Sequence, residues 1–307
     1  MARKYIVGAT IWNAFDFSSE GRVDVVPNIN DKGLMKFDRT FKDNYFFFQS
    51  KLVAKPMLKI ATLNWNRRTG RAASETSDYC IQPITIFSNL KRVELFQNGK
   101  SLGKKEILNN KAIWNVPFVN GKNTLLISND DSDQITDQLD INFNLQPYYL
   151  SSSIFKEIGI RLGAQEYFIE EPVGYVWEPA KPYNKGSWGY TVLGKDEYKR
   201  PPVFDVKRTD NDPLYYSFRK DLKEVKFDVA NGKYEVELLL VDKVQGNIFD
   251  ILLNGQVVYY YPQGNDEKVA VKIKSIIEVG NNKGINISFI KKNGDAFISA
   301  VKVRKIL

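Results

Sequence analysis

Residues 5–52 read YIVGATIWNAFDFSSEGRVDVVPNINDKGLMKFDRTFKDNYFFFQSKL. Tyr5 to Trp12 is a short apolar run, with Ile6, Val7 and Ile11 around the small residues Gly8 and Ala9. A run of that length suits a strand buried on both faces, as in a parallel barrel. Thr40-Phe41-Lys42-Asp43 is a Ser/Thr-x-x-Asp/Glu pattern, a helix start. Beyond it Phe41, Tyr45, Phe48 and Leu52 recur at helical spacing and predict one apolar face. Strand, long loop and helix in that order make one βα unit. In a βα barrel the ligand-facing groups sit on the loop after the strand, which here runs from Trp12 to Lys32.

After Leu52 the pattern changes. Strand-like runs alternate with turn signals: Ile84 to Phe87, Val93 to Phe96, Thr124 to Ser128 and Leu139 to Phe143, then Tyr234 to Val241, Phe249 to Leu253, Val269 to Ile273, Ile285 to Ile290 and Ala296 to Val303. Asn-Gly occurs at 98–99, 120–121, 231–232, 254–255 and 293–294. That dipeptide supplies positive φ at little cost and marks hairpins. The bulk of the chain therefore reads as antiparallel β, arranged in sandwiches. Pro147-Tyr148-Tyr149-Leu150-Ser151-Ser152-Ser153 breaks the strand rhythm and predicts a linker over 148–160. The predicted domains are 1–52, an incomplete βα unit; 53–147, an immunoglobulin-sized sandwich; and 161–307, a second sandwich.

The 307 residues fit two to three domains. No stretch reaches the eighteen apolar residues of a membrane helix, and MARKYIVGATIW lacks the apolar segment and cleavage site of a signal peptide. A single cysteine, Cys80, excludes an intramolecular disulfide, and with no histidine the chain holds no Ser-His-Asp or Cys-His machinery. The net charge is +8, but 44 basic residues are interleaved with 36 acidic ones. No cationic run forms, so a nucleic-acid partner is not expected. Asn129-Asp130-Asp131-Ser132-Asp133 lacks the spaced glycine and glutamate of a calcium loop and reads as a solvated turn. Gly159-Ile160-Arg161-Leu162-Gly163 does not make a phosphate loop. No cofactor is implied.

The stretch from Tyr5 to Leu52 resembles the last strand, loop and helix of the catalytic barrel in glycoside hydrolase family 2, the β-galactosidases and β-glucuronidases. ITIFSNLKRVELFQNGKSLGKKE, from Ile84 to Glu106, resembles the sandwich that follows that barrel. VANGKYEVELLLVD (229–242), IFDILLNGQVV (248–258) and FISAVKVRKI (297–306) resemble a malectin-like, jelly-roll carbohydrate-binding domain. The resemblance implies the C-terminal part of a retaining β-glycosidase, with the earlier barrel portion as its missing partner and a periplasmic or secreted parent. Its substrates would be β-galactosides or β-glucuronides. The alternative is a non-catalytic carbohydrate-binding or docking module.

Retaining glycosidases need two carboxyl groups roughly 5 Å apart. In this family both are glutamates on earlier strands, the acid/base following an asparagine. This chain has no Asn-Glu dipeptide, and Glu20 is the one glutamate within residues 1–52. No catalytic residue is therefore assigned, and the chain alone is expected to be inactive. The resemblance does imply substrate contacts. Trp12 matches the tryptophan beneath the sugar, and Asn30 with Lys32 matches the Asn-x-Lys pair that holds a glucuronide carboxylate. Asn-Asp-Lys-Gly also occurs in galactosidase-like members, and Asp16 reads rather as a loop-fixing carboxylate. In the last domain Tyr175, Trp177, Tyr183, Trp188 and Tyr190 gather in VGYVWEPAKPYNKGSWGYT, with Tyr215 or Tyr216 as neighbours. Trp177, Tyr183, Trp188 and Tyr190 are candidate carbohydrate contacts; rings that plug the sandwich are the alternative. Trp177 is expected to be exposed and Trp188 folded back between its two glycines.

Overall fold

The structure is a computed structural model, and it describes residues 5–306 apart from 6, 24–26, 63–64, 130–134, 172, 194–203, 221, 243 and 265–266. The chain divides into two compact units: 1–66 with 81–142, and 67–80 with 143–307. The strands Tyr79–Ser88 and Thr136–Gln146 each begin in one unit and end in the other. It is mostly β, as the hairpin signals predict.

In the first unit one sheet holds Leu58–Ile60, Tyr79–Ser88 and Lys111–Val119. Facing residues of a second sheet come from Thr136–Gln146, Gly121–Asn129, Arg92–Gln97 and Lys100–Glu106, in that spatial order. Alternation puts Ile84 and Ile86, Val93 and Leu95, Val116 and Phe118, and Leu125 and Ile127 fully inside, the period-two pattern of a half-buried strand. Asn98 and Gly99 both take positive φ and close the hairpin between Arg92–Gln97 and Lys100–Glu106. Asn109 and Asn110 do the same beside the Leu108–Lys111 bridge, a turn that an Asn-Gly search misses.

The N-terminal prediction needs correction. Residues 7–14 form no strand, and Val7, Ile11 and Trp12 are exposed. A parallel barrel strand is made by the ladders on either side of it, and among the described residues no strand pairs with 7–14. Instead a hairpin, Phe17–Val23 with Pro27–Asn30, occupies the loop. The helix spans Asp43–Leu52, and Lys42 rather than Thr40 is its N-cap, with no side-chain cap. Thr40 is engaged with Asp38, whose Oδ1 accepts from both its N–H (3.0 Å) and its hydroxyl (2.7 Å). The buried helix face is Phe46 and Ser50, not Phe41 to Leu52. Phe41 and Tyr45 stack on each other at 4.1 Å, and the Asn110 amide donates to the Ser50 carbonyl at 2.8 Å.

The second unit is a sandwich of two sheets. The six-stranded sheet runs Phe168–Glu170, Tyr175–Pro179, Glu157–Arg161, Ala300–Ile306, Gly232–Asp242, Val269–Val279 in spatial order. The five-stranded sheet runs Trp188–Val192, Leu222–Phe227, Ile285–Asn293, Ile248–Leu253, Gln256–Tyr261. Asn254 and Gly255 form the two-residue turn joining the last pair. Ile160, Val225, Val236, Leu238, Ile251, Ile287, Val301 and Val303 fill the space between the sheets. The predicted linker over 148–160 is not one. Leu150, Phe155 and Ile158 are buried in this core, and Glu157–Arg161 pairs with Ala300–Ile306. Three serines and two tyrosines suggest a tether by composition, but Leu150, Phe155, Ile158 and Ile160 among them are core residues.

Candidate functional sites

The loop that carries Trp12, Asn30 and Lys32 is built around one carboxylate. Asp16 is buried, and its Oδ1 accepts from the Gly33 N–H at 2.9 Å and from Lys42 Nζ at 2.6 Å. Lys42 Nζ also donates to the Asp31 carbonyl at 2.7 Å. Backbone bonds sew residues 13–16 to 33–35: Leu34 N–H to the Asn13 carbonyl, Met35 N–H to Ala14 and Asp16 N–H to Met35. Gly33 fits because it has no Cβ; one placed there would lie 2.3 Å from the Asp16 nitrogen and 2.3 Å from the Phe15 carbonyl carbon. Backbone atoms cannot give way cheaply, so the glycine is required by close approach.

On this frame Asn30 is buried and ends the strand Pro27–Asn30. Its Oδ1 accepts the Lys32 N–H at 3.2 Å, an Asx-type turn that fixes where the Lys32 side chain departs. Lys32 itself is exposed, and among the described residues its ammonium makes no ion pair. Trp12 is 75% exposed, and the Trp12–Asn13 peptide is cis. The loop thus presents an indole and an ammonium outward while the amide and the carboxylate organise it from within. Asp16 takes the loop-fixing role.

The aromatic stretch of the second unit is arranged differently from a stacking platform. Trp177 is 2% exposed, and its Nε1–H donates to Glu170 Oε2 at 2.9 Å. Strand Tyr175–Pro179 lies inside the six-stranded sheet, so this indole faces the core, contrary to the exposure expected from its proline-rich surroundings. Trp188 and Tyr190 are also buried, as the two glycines flanking Trp188 predict for that ring. Tyr183 is half-buried, with its hydroxyl donating to Asp228 Oδ2 at 2.8 Å. Burial and the Asp228 carboxylate push the Tyr183 phenol up to about 12. Tyr215 and Tyr216 are core residues.

Trp188 and Tyr190 instead form part of the wall of a cleft of about 580 Å3, lined also by Gly70, Arg71, Gln165, Tyr167, Glu178, Lys181 and Arg219. Lys181 Nζ lies 4.6 Å from the Trp188 ring centre, and the Arg219 guanidinium 4.1 Å from that of Tyr190. The aromatic faces are therefore covered by cations. Sequence reading missed Arg71, Glu178, Lys181 and Arg219. Glu178 and Lys181 lie within the aromatic stretch, but nothing local links Arg71 to a segment a hundred residues later. The acidic cluster at 129–133 lies mostly outside the described residues. Among the described residues no group of three or more Cys, Asp or Glu could hold a metal ion.

Glu178 is the most perturbed acid here. Burial lifts its carboxyl from the usual 4.5 to about 7, against the pull of the Thr69 hydroxyl, Lys181 and Arg71. Burial also lowers Lys181, with the Arg71 charge adding to it. The folded chain holds a proton on Glu178 that the unfolded chain releases above about 4.5. Its contribution to stability is therefore full below 4.5 and lost as pH rises through about 7. A carboxyl held at 7 costs at most about 3 kcal/mol in alkaline solution, and partial contact with the cleft reduces that to about 2. Glu178→Gln should thus be more stable than the parent chain by about that amount at pH 8, with the advantage gone by pH 4.5. Urea titrations of both proteins across this range measure it; a pH-independent difference would contradict the assignment.

No described helix is long and apolar enough to cross a membrane. Residues 81–128 match a family described as "Domain of unknown function (DUF4982)". A putative β-glucuronidase of Formosa agariphila is 33% identical over 145 residues, 45% of this chain and 17% of that protein. A β-glucuronidase of Bacteroides uniformis has the same fold, with a TM-score of 0.85 and 32% identity over 96% of this chain and 35% of its own. Bacteroides uniformis β-glucuronidase 2, covalently bound to cyclophellitol-6-carboxylate aziridine, matches with a TM-score of 0.84, 32% identity and the same coverage. The chain spans about a third or less of the length of these relatives.

Proposed function

We propose that this chain, related to β-glucuronidases of the glycoside hydrolase family 2 type over almost its whole length, is the C-terminal portion of a retaining β-glycosidase. The observation that carries this reading is the 32% identity maintained at a TM-score of 0.85 over 96% of the chain. In the proposal the rest of the barrel brings the carboxyl pair, and this chain brings one wall of the sugar site. Trp12 offers an indole face to the C–H face of a pyranose. Asn30 and Lys32 meet the substrate carboxylate, an amide and an ammonium on one oxyanion. Supporting this choice of a glucuronide over a galactoside, the B. uniformis relative is bound covalently to a carboxylate-bearing molecule. Asp16, Gly33 and Lys42 position the loop and do not touch substrate.

Lys32→Ala in the full-length polypeptide separates the two substrate classes. Losing a charge-assisted contact costs about 1.5–3 kcal/mol, so kcat/KM on 4-nitrophenyl β-glucuronide should fall about ten- to hundredfold. The β-galactoside should change little. Equal losses on both substrates would reject the carboxylate role. The chain by itself should hydrolyse neither.

A further inference from the structure

The cleft in the second unit has no role in the function proposed above, and its chemistry is specific. Arg71 Nη1 and Lys181 Nζ both point at one neutral atom, the Ser187 hydroxyl, at 3.1 and 3.0 Å. Each is half-buried, and both act on the Glu178 carboxyl of the cleft wall. With Arg219 the lining holds three cations against one carboxyl, and burial keeps that carboxyl only partly ionised near neutral pH. Two cations bracketing a hydroxyl leave an unneutralised positive field in a partly dry concavity, where an oxyanion gains most.

The walls are rigid. Asp228 Oδ2 accepts from the Gly186 N–H at 2.6 Å and from the Tyr183 hydroxyl at 2.8 Å, and the Asp228 N–H returns to the Ser187 carbonyl at 2.9 Å. The Tyr183 N–H donates to the Tyr190 carbonyl and the Tyr190 N–H to the Lys181 carbonyl, which closes the loop carrying Lys181 and Ser187. The cations are thus placed before any ligand arrives, which lowers the ordering cost of binding. The cleft volume, about 580 Å3, lies within the range of small-molecule sites, about 300–1,000 Å3. Because Lys181 and Arg219 sit over the Trp188 and Tyr190 ring faces, those two rings offer a neutral sugar no open platform. Tyr167 and Gln165 supply hydroxyl and amide groups for a hydroxylated ring.

We propose that this cleft is a second saccharide site, selective for a sugar ring bearing an oxyanion, with Arg71 and Lys181 holding the anionic group. The proposal does not rest on the reading of the Trp12–Lys32 loop.

Calorimetric titration of the whole chain with methyl β-glucuronide, N-acetylglucosamine 6-sulfate and methyl β-glucoside tests it. One or both acidic probes should bind in the millimolar to high-micromolar range, with the neutral glucoside at least tenfold weaker. Affinity should fall as salt rises from 50 to about 300 mM. Lys181→Met and Arg71→Met should each weaken the acidic probe at least tenfold, Lys181→Arg should retain most of it, and Lys32→Ala should leave it unchanged. Melting curves confirm that the variants fold. The preferred acidic probe tells carboxylated from sulfated ligands. Equal affinity for the neutral glucoside, no binding of either acid, or binding that survives both methionine variants would overturn the site. Loss in Lys32→Ala alone would assign binding to the other loop.

Discussion

Trp177→Ala should lower the stability of the second unit by about 3–5 kcal/mol, the cost of removing a fully packed aromatic side chain. The indole is 2% exposed, its N–H is satisfied by Glu170, and its edge meets the Tyr175 ring at 5.5 Å and 79°. The space it fills has been made for it. Gly159, on the neighbouring strand, has no side chain, and a Cβ there would stand 2.8 Å from Trp177 Cε3 and 2.7 Å from Tyr175 Cε1. Alanine at 177 therefore leaves a cavity lined by aromatic edges and an unpaired Glu170 oxygen. Trp177→Phe keeps most of the volume and loses the N–H bond, so about 1–2 kcal/mol is expected. Urea unfolding followed by far-ultraviolet circular dichroism measures both. A loss below about 1 kcal/mol for the alanine variant would place the ring at the surface.

Asp16→Ala should cost the first unit about 3 kcal/mol. The carboxylate serves the Gly33 N–H and the Lys42 ammonium at once. Deleting one partner of a mostly buried pair strands the other charge as well as a buried donor. Asp16→Asn keeps an acceptor for Gly33 but not the charge, and should fall about halfway. The effect should concentrate in the loop: amide exchange at Gly33, Leu34 and Met35 should accelerate by about a hundredfold in the alanine variant. Uniform acceleration across the sandwich, with these three amides no different from the rest, would mean that Asp16 does not clamp the loop. On the proposed reading of the loop, the same variant in the full-length polypeptide should also weaken glucuronide binding through misplaced Asn30 and Lys32.

What could be read in advance follows the range of the physics. Strands such as Arg92–Gln97 and Gly232–Asp242 were legible because alternation and positive-φ asparagine or glycine turns are local signals. The Asn30–Lys32 turn is equally local, with its partners two positions apart, but it was not read from the sequence. The βα unit was misread at its strand. Tyr5 to Trp12 has the composition of a buried parallel strand, but a strand forms only where a neighbour pairs with it, and among the described residues none does. The helix register slipped because Thr40 had a closer partner in Asp38 than the helix N-terminus.

The sequence by itself determined that this chain is mainly β, where its hairpins turn, and that Trp12, Asn30 and Lys32 lie close together in one segment. Only the tertiary structure decided that Trp177 is core and that residues 148–160 belong to a sandwich. It alone brought Arg71 to within reach of Ser187, 116 positions away. Burial and charge convergence depend on which sheets stack on which, and that is set by contacts among residues far apart in the chain. Local propensity carries no information about them until the core has closed.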